Sequence, residues 1–238
     1  MEEKKIPVFA VSGEKKTGKT TLATEVIERL DSADYKVASI KHTTGEYSID
    51  KEDTDTWKHA KAGSELVVFS TAVETSFIYT GEMGLEQIVE LISSFGYFDI
   101  VIIEGFKEED IPNITLEKDI GEASEISDDQ VEYIIDNIER EINIYKVYNK
   151  LPMLDCGDCG YDGCREFAEA VLDGDEKLSN CVSISSKNTI QIEVNGKEIP
   201  LSPFPSNIIK NGIKGMLSSL KGVDDIREVG IHFEEESD

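Results

Sequence analysis

The sequence predicts an α/β protein: a mainly parallel sheet with helices on both faces, followed by a smaller α+β domain built around cysteines. Three observations predict it. Short apolar runs recur at 8–11, 37–40, 66–69, 77–79 and 100–103, with helix-like segments between several of them, the alternation that builds a parallel sheet. A GxxxxGKT stretch joins the first run to the first helix. All four cysteines fall between Cys156 and Cys181, after Leu151-Pro152 has punctuated the chain.

The first run, Val8-Phe9-Ala10-Val11, is apolar throughout, as a strand buried on both faces must be. It leads into Gly13-Glu14-Lys15-Lys16-Thr17-Gly18-Lys19-Thr20. In such a loop, glycines let backbone N–H groups curl around phosphates, the lysine (Lys19) reaches the β and γ oxygens, and the hydroxyl (Thr20) ligates Mg²⁺. Lys15, Lys16 and Lys19 concentrate positive charge there, and a helix over 21–30, beginning at Thr21, turns its N-terminal dipole toward the same anion. The first domain is therefore read as P-loop NTPase-like.

The run at 37–40 ends in Lys41-His42-Thr43-Thr44, followed by Asp50, Asp53, Asp55, a short helix at 55–62 and Ala62-Gly63-Ser64. Polar residues crowding the end of a buried strand line a ligand site. A helix over 85–93 carries Leu85, Ile88, Val89, Leu91 and Ile92. The run at 100–103 delivers Glu104 to the C-terminal end of its strand, where open parallel sheets carry their chemistry. Glu104 fits the acid that holds the Mg²⁺ shell or polarises the attacking water. A helix over 128–142 has Val131, Ile134, Ile135, Ile138 and Ile142 on one stripe and Asp128 as N-cap.

The domain boundary is placed near residue 148, giving 1–148 and 149–238. In the second domain a helix is expected at 165–172. Alternation at 189–194, the turn Asn195-Gly196 and a return at 197–201 read as a hairpin, and a helix at 207–220 and a strand at 228–233 complete the unit.

Charge limits the partners. The net charge is −25, with 32 acids and 16 bases in residues 1–150 and 17 and 8 in 151–238, so neither half is a basic module. A field of that sign repels nucleic-acid phosphates and anionic lipid, so no nucleic-acid or membrane partner is expected and phosphate must be bound locally. No apolar stretch approaches the ~20 residues of a membrane span, and the charged start of the chain lacks an apolar leader segment. A cytoplasmic location is the expectation.

The cysteines read Cys156-x2-Cys159-x4-Cys164-x16-Cys181, with Gly157, Gly160 and Gly163 among them. Thiolates at that density wrap a compact metal centre, and glycines permit the turns that aim sulfurs inward. Disulfides are disfavoured in a reducing compartment. An iron-sulfur cluster and a structural zinc both satisfy four thiolates, although zinc ribbons favour two Cys-x2-Cys knuckles and this chain has one.

Taken together, the phosphate loop, the IKHT stretch with its following Asp and AGS, and the run DIVIIEGFK followed by Ile111-Pro112 resemble the MobB family of molybdenum cofactor biosynthesis over roughly residues 6–120. The resemblance implies a GTP-binding adapter with weak GTPase activity, assisting the nucleotidyltransferase that joins GMP to molybdopterin and passing on the finished cofactor. It carries Gly13, Gly18, Lys19, Thr20 and Thr21 to the phosphate loop, with Lys16 and Thr17 inside it. It likewise carries Lys41, His42 and Asp50 to the binding site, and Glu104-Gly105-Phe106-Lys107 to the family's EGFK. It implies GTP and Mg²⁺ as cofactors, a molybdopterin nucleotidyltransferase or molybdoenzyme as partner, molybdopterin itself as a candidate ligand, and a homodimer. Two stretches depart from the pattern: Thr44-Gly45-Glu46 stands where the family has further histidines, and Asn113 where it often has Lys. Asn149-Lys150-Leu151-Pro152 is not a guanine-reading Asn-Lys-x-Asp, since Pro152 replaces the Asp.

Residues 151–182 resemble the small four-cysteine [4Fe-4S] domain of corrinoid iron-sulfur proteins and electron-transport subunits. That implies Cys156, Cys159, Cys164 and Cys181 as cluster ligands, with Phe167, Ala168 and Val171 packed against the cluster. Two other functions stay open: a redox-coupled NTPase for electron transfer or cluster loading, and an adapter in which the cysteines hold zinc as a docking knuckle.

Overall fold

The computed structural model describes residues 5–12, 18–43, 47–105, 113–115, 127–185, 190–223 and 226–232. The chain forms two compact units, Met1–Ile142 and Asn143–Asp238. The first is built on a four-stranded parallel sheet of order β2-β5-β1-β6, from β1 (Val8–Ser12), β2 (Val37–Lys41), β5 (Ile100–Glu104) and β6 (Asn113–Thr115).

Strand alternation divides the apolar residues between two faces. Phe9 and Val11 of β1 and Ile100 and Ile102 of β5 meet one stripe of α1 (Lys19–Ser32), Leu22, Ala23, Val26 and Leu30, and one stripe of α4 (Asp128–Tyr148), Val131, Ile134, Ile135, Ile138 and Ile142. Ala10, Val101 and Ile103 face the other way, onto Leu85, Val89 and Ile92 of α3 (Leu85–Ser94). The middle strands are sealed on both sides, which is why their sequences are apolar at nearly every position.

Two of the five apolar runs do not join this sheet. β3 (Leu66–Ser70) and β4 (Thr75–Tyr79) pair antiparallel with each other as a separate two-stranded sheet, following α2 (Asp55–Lys61). The turn between them is too short for the crossover that a parallel partner needs, and Thr71 closes it, its N–H donating to the Glu74 carbonyl at 2.8 Å.

In the second unit, Ile144, Leu151, Cys164, Phe167, Ala168 and Cys181 make a small core around α5 (Cys164–Asp173), with Tyr161 edge-on to Phe167 at 5.5 Å between ring centres. Gly174, at φ +85, ends α5 in the left-handed conformation a helix C-terminus favours. A 3₁₀ turn (Leu178–Asn180) and α6 (Val182–Ser185) follow. The Asn195-Gly196 turn is present, both residues at positive φ, but β7 (Glu193–Val194) and β8 (Lys197–Glu198) are only two residues each.

α7 (Pro203–Ser218) starts ahead of the expected residue 207 because proline is accepted in the first turn of a helix, where its missing N–H would bond to nothing. Residues 228–232 are not a strand. The unit is thus more helical than its sequence pattern suggests. Among the described residues no helix is long and apolar enough to cross a membrane.

Ile138 is fully buried between α4 and the sheet. Ile138→Ala should cost about 2–5 kcal/mol, read as a lower urea midpoint for the first unit, and an unchanged midpoint would refute this packing.

Candidate functional site

Strand register assembles the first site. Parallel pairing sets Glu104 beside Val11 of β1 and beside Lys41 of β2, so three strands end in one row at the C-terminal edge of the sheet. Gly18, at φ +89, caps α1, which opens with Lys19, Thr20 and Thr21 directly after the phosphate-loop segment. A glycine is required there because the left-handed conformation excludes most side chains.

The Thr20 hydroxyl donates to the Glu104 carboxylate, 2.9 Å from Oε1 and 3.0 Å from Oε2. The Lys41 ammonium forms an ion pair with Oε1 of the same carboxylate. The strand end is locked by its backbone: His42 N–H donates to the Glu104 carbonyl at 2.9 Å, and Gly105 N–H to the Val11 carbonyl at 3.3 Å. The Glu104 side chain is only 11% exposed and Lys41 60%, so a largely buried anion faces the cleft mouth through an exposed cation. Thr20, Thr24, Ser39, Lys41 and Glu104 are the polar lining of that cleft, about 110 Å³ in volume.

A hydroxyl and a carboxylate on one side of a cleft, with a helix N-terminus behind them, are a donor set for a hard divalent cation and a phosphate chain.

Of the sequence-predicted residues, Thr20, Lys41, Glu104 and the His42 backbone come together here. Gly13, Lys16, Thr17, Phe106 and Lys107 lie outside the described residues. Asp50 is committed elsewhere: its Oδ1 accepts from Lys51 N–H (2.9 Å), Thr54 (2.8 Å) and Thr56 (3.0 Å), shaping the turn at the start of α2, where Thr54 caps the Trp57 N–H.

In the second unit, Cys156, Cys159, Cys164 and Cys181 all line one small pocket, with Leu151, Pro152 and Phe167 as apolar walls. None is in a disulfide; Cys164 and Cys181 are buried, Cys159 is half-buried and Cys156 exposed. Positive φ at Gly157 (+72) and Gly160 (+88) turns the Cys156–Cys159 segment, and Gly160 N–H donates to the Gly157 carbonyl at 2.9 Å. Cys164 is the first residue of α5. Burial pushes its thiol above the ordinary value, opposed by backbone hydrogen bonds at Asp155 and Leu154.

A buried thiol becomes a thiolate when a cation offsets the desolvation, and four sulfurs around one cavity fit a thiolate-bound metal centre. Among the described residues no three His, Cys, Asp or Glu side chains converge on a single-ion site, so the sulfurs stand around the cavity wall and not about one point.

Fold and strand-end site are those of a phosphate-loop α/β protein, here joined to a four-cysteine unit. Residues 8–137 match the family model described as "MobB: Molybdopterin guanine dinucleotide synthesis protein B", and residues 151–183 match one described as "Putative Fe-S cluster". The chain belongs to the MobB family.

It is 38% identical over 237 residues, 95% of its length and 97% of the relative's, to a Methanocaldococcus jannaschii protein named "Putative molybdopterin-guanine dinucleotide biosynthesis adapter protein". It is 34% identical over 115 residues (48% of this chain, 64% of the relative) to the molybdopterin-guanine dinucleotide biosynthesis adapter protein of Haemophilus influenzae. A stretch of 31 residues, 13% of this chain and 16% of the relative, is 58% identical to a subunit of the ion-translocating oxidoreductase complex of Yersinia pestis.

Gly105 has φ +117, and a Cβ there would come within 2.9 Å of the His42 carbonyl oxygen. Gly105→Ala should destabilise the first unit by about 1–3 kcal/mol and displace the β2 end that carries Lys41. A crystal structure of the variant with Lys41 still on Glu104, together with unchanged stability, would contradict this account.

Proposed function

We propose that this protein is a GTP-binding adapter in molybdopterin guanine dinucleotide biosynthesis whose second domain carries a [4Fe-4S] cluster. The supporting observation is the meeting of Thr20, Glu104 and Lys41 at the start of α1 and the C-terminal edge of the sheet, in a chain alike over 95% of its length to a relative bearing that adapter name. The division of labour follows the sequence boundary: residues 1–148 bind nucleotide, and residues 149–238 hold the cluster.

In this reading Gly13, Lys16, Thr17, Gly18 and Thr21 cradle the phosphates and Lys19 neutralises the β and γ oxygens. Thr20 and Glu104 hold Mg²⁺, which when bound supplies positive charge against the phosphates. Lys41, already on Glu104, orients that carboxylate before nucleotide arrives, and His42 stands beside it at the end of the second strand, while Asp50 acts at a distance by shaping the turn before α2. Hydrolysis is electrostatic and slow.

Cys156, Cys159, Cys164 and Cys181 ligate the cluster, with Phe167 excluding water from it. The partners are a molybdopterin nucleotidyltransferase or a molybdoenzyme, with molybdopterin as a ligand, in a cytoplasmic homodimer. The match to a subunit of an ion-translocating oxidoreductase favours one second reading, a redox-coupled NTPase. In that case reducing the cluster changes the GTP hydrolysis rate.

Lys19→Ala should abolish GTP binding in calorimetry with Mg²⁺; retained affinity would remove the nucleotide reading. Protein purified without oxygen should be brown, with iron and acid-labile sulfide in equal amounts. Colourless protein carrying one zinc would remove the cluster and establish the docking-knuckle alternative.

A further inference from the structure

The three cysteines of the 156–164 segment are flanked by one side chain that the ligand pattern does not include. Asp155 immediately precedes Cys156, and its Oδ1 accepts the backbone N–H of Cys164 at 2.6 Å, nine positions on. That N–H belongs to the first turn of α5, whose donors have no intrahelical partner. The residue at the helix cap is Gly163, which has no side chain to offer. Asp155 therefore caps α5 from outside, and one hydrogen bond draws the ends of the segment bearing Cys156, Cys159 and Cys164 together.

Two further features agree. Asp155 itself has φ +42, a left-handed conformation in which Asp and Asn are the favoured non-glycine residues. Gly163 has φ −154, extended backbone open to any residue, yet a Cβ there would sit 3.1 Å from Asp155 Oδ1. The obstacle to a side chain at 163 is the Asp155 carboxylate and not the backbone.

Resting on the metal-centre reading above, we infer that Asp155 is a positioning residue for that centre, a clasp that holds Cys156 and Cys164 at the spacing the metal needs. The clasp requires an acceptor oxygen at this position and room for it at residue 163. It does not require the charge, because an Asn side chain offers the same Oδ1 from the same backbone conformation.

The test uses full-length protein reconstituted anaerobically with iron and sulfide, and reads iron and sulfide content together with the rate at which a chelator bleaches the visible absorption. Asp155→Ala should bleach about 10–100-fold faster than wild type, the loss typical when a ligand-orienting partner is removed. Asp155→Asn should stay near wild type. Gly163→Ala should also bleach faster, but should add nothing in the Asp155→Ala background, where the oxygen it crowds is gone.

Far-ultraviolet circular dichroism and thermal unfolding of each variant check that its second unit is folded. Wild-type bleaching in Asp155→Ala would overturn the clasp, as would an Asn variant as labile as Ala, or an additive Gly163→Ala effect. Wild type that takes up zinc and no iron would instead overturn the cluster reading, and the same four variants compared with wild type by zinc retention would still decide the clasp.

Discussion

The parallel pairing of β1 with β5 is the constraint on which the nucleotide half depends. Both strands are apolar at nearly every position and lie between helices on both faces, so a slip of one residue would turn their side chains to the wrong layers. That register places Glu104 beside Val11, one residue before the end of β1 and the start of the phosphate loop. The same pairing, carried across to β2, places Lys41 beside Glu104. The carboxylate, the ammonium and the Thr20 hydroxyl meet because a hydrophobic core fixes the strands that carry them. In a chain of net charge −25 this row keeps the buried acid paired.

The second unit solves a different problem with a smaller core. Most of its buried residues are themselves part of the cysteine site: Leu151, Cys164, Phe167 and Cys181 serve as both packing and lining. Burial that raises the Cys164 thiol makes the metal-free state prefer a protonated, neutral sulfur, whereas a metal centre stabilises the thiolate. The sulfurs that would hold a metal centre are thus also part of the packing around α5. Tyr145 lies under Arg165 and edge-on to Tyr148, so aromatic rings complete the shell of a unit with few aliphatic residues to spare.

Much of this was legible in the chain itself. The apolar runs marked β1, β2 and β5, and the period of Val131 through Ile142 marked α4, although the helix continues to Tyr148 as apolar residues recur at Ile144 and Val147. β6 was invisible because three residues carry no periodicity. β3 and β4 were visible as strands, but not as partners of each other: apolar runs do not state their neighbours, and only the short turn at 71–74 forces the antiparallel pair. Asp155 has no periodic signal along the chain because its role depends on folding back nine residues onto a backbone N–H. The tolerance of Asp for left-handed backbone, just before a cysteine, was the one available hint.

What the sequence determined alone was chemistry carried by residue type at fixed spacing: a lysine and a threonine behind a glycine, an acid after four apolar residues, four thiols within 26 positions. Such motifs survive in one dimension because the atoms involved are neighbours along the chain. Tertiary structure decided which of those groups touch. It put Lys41 and Thr20 on one carboxylate, gave Asp50 to the turn before α2, and took β3 and β4 out of the sheet. Those outcomes rest on register and burial, which join residues far apart in the chain and are settled only when the core closes.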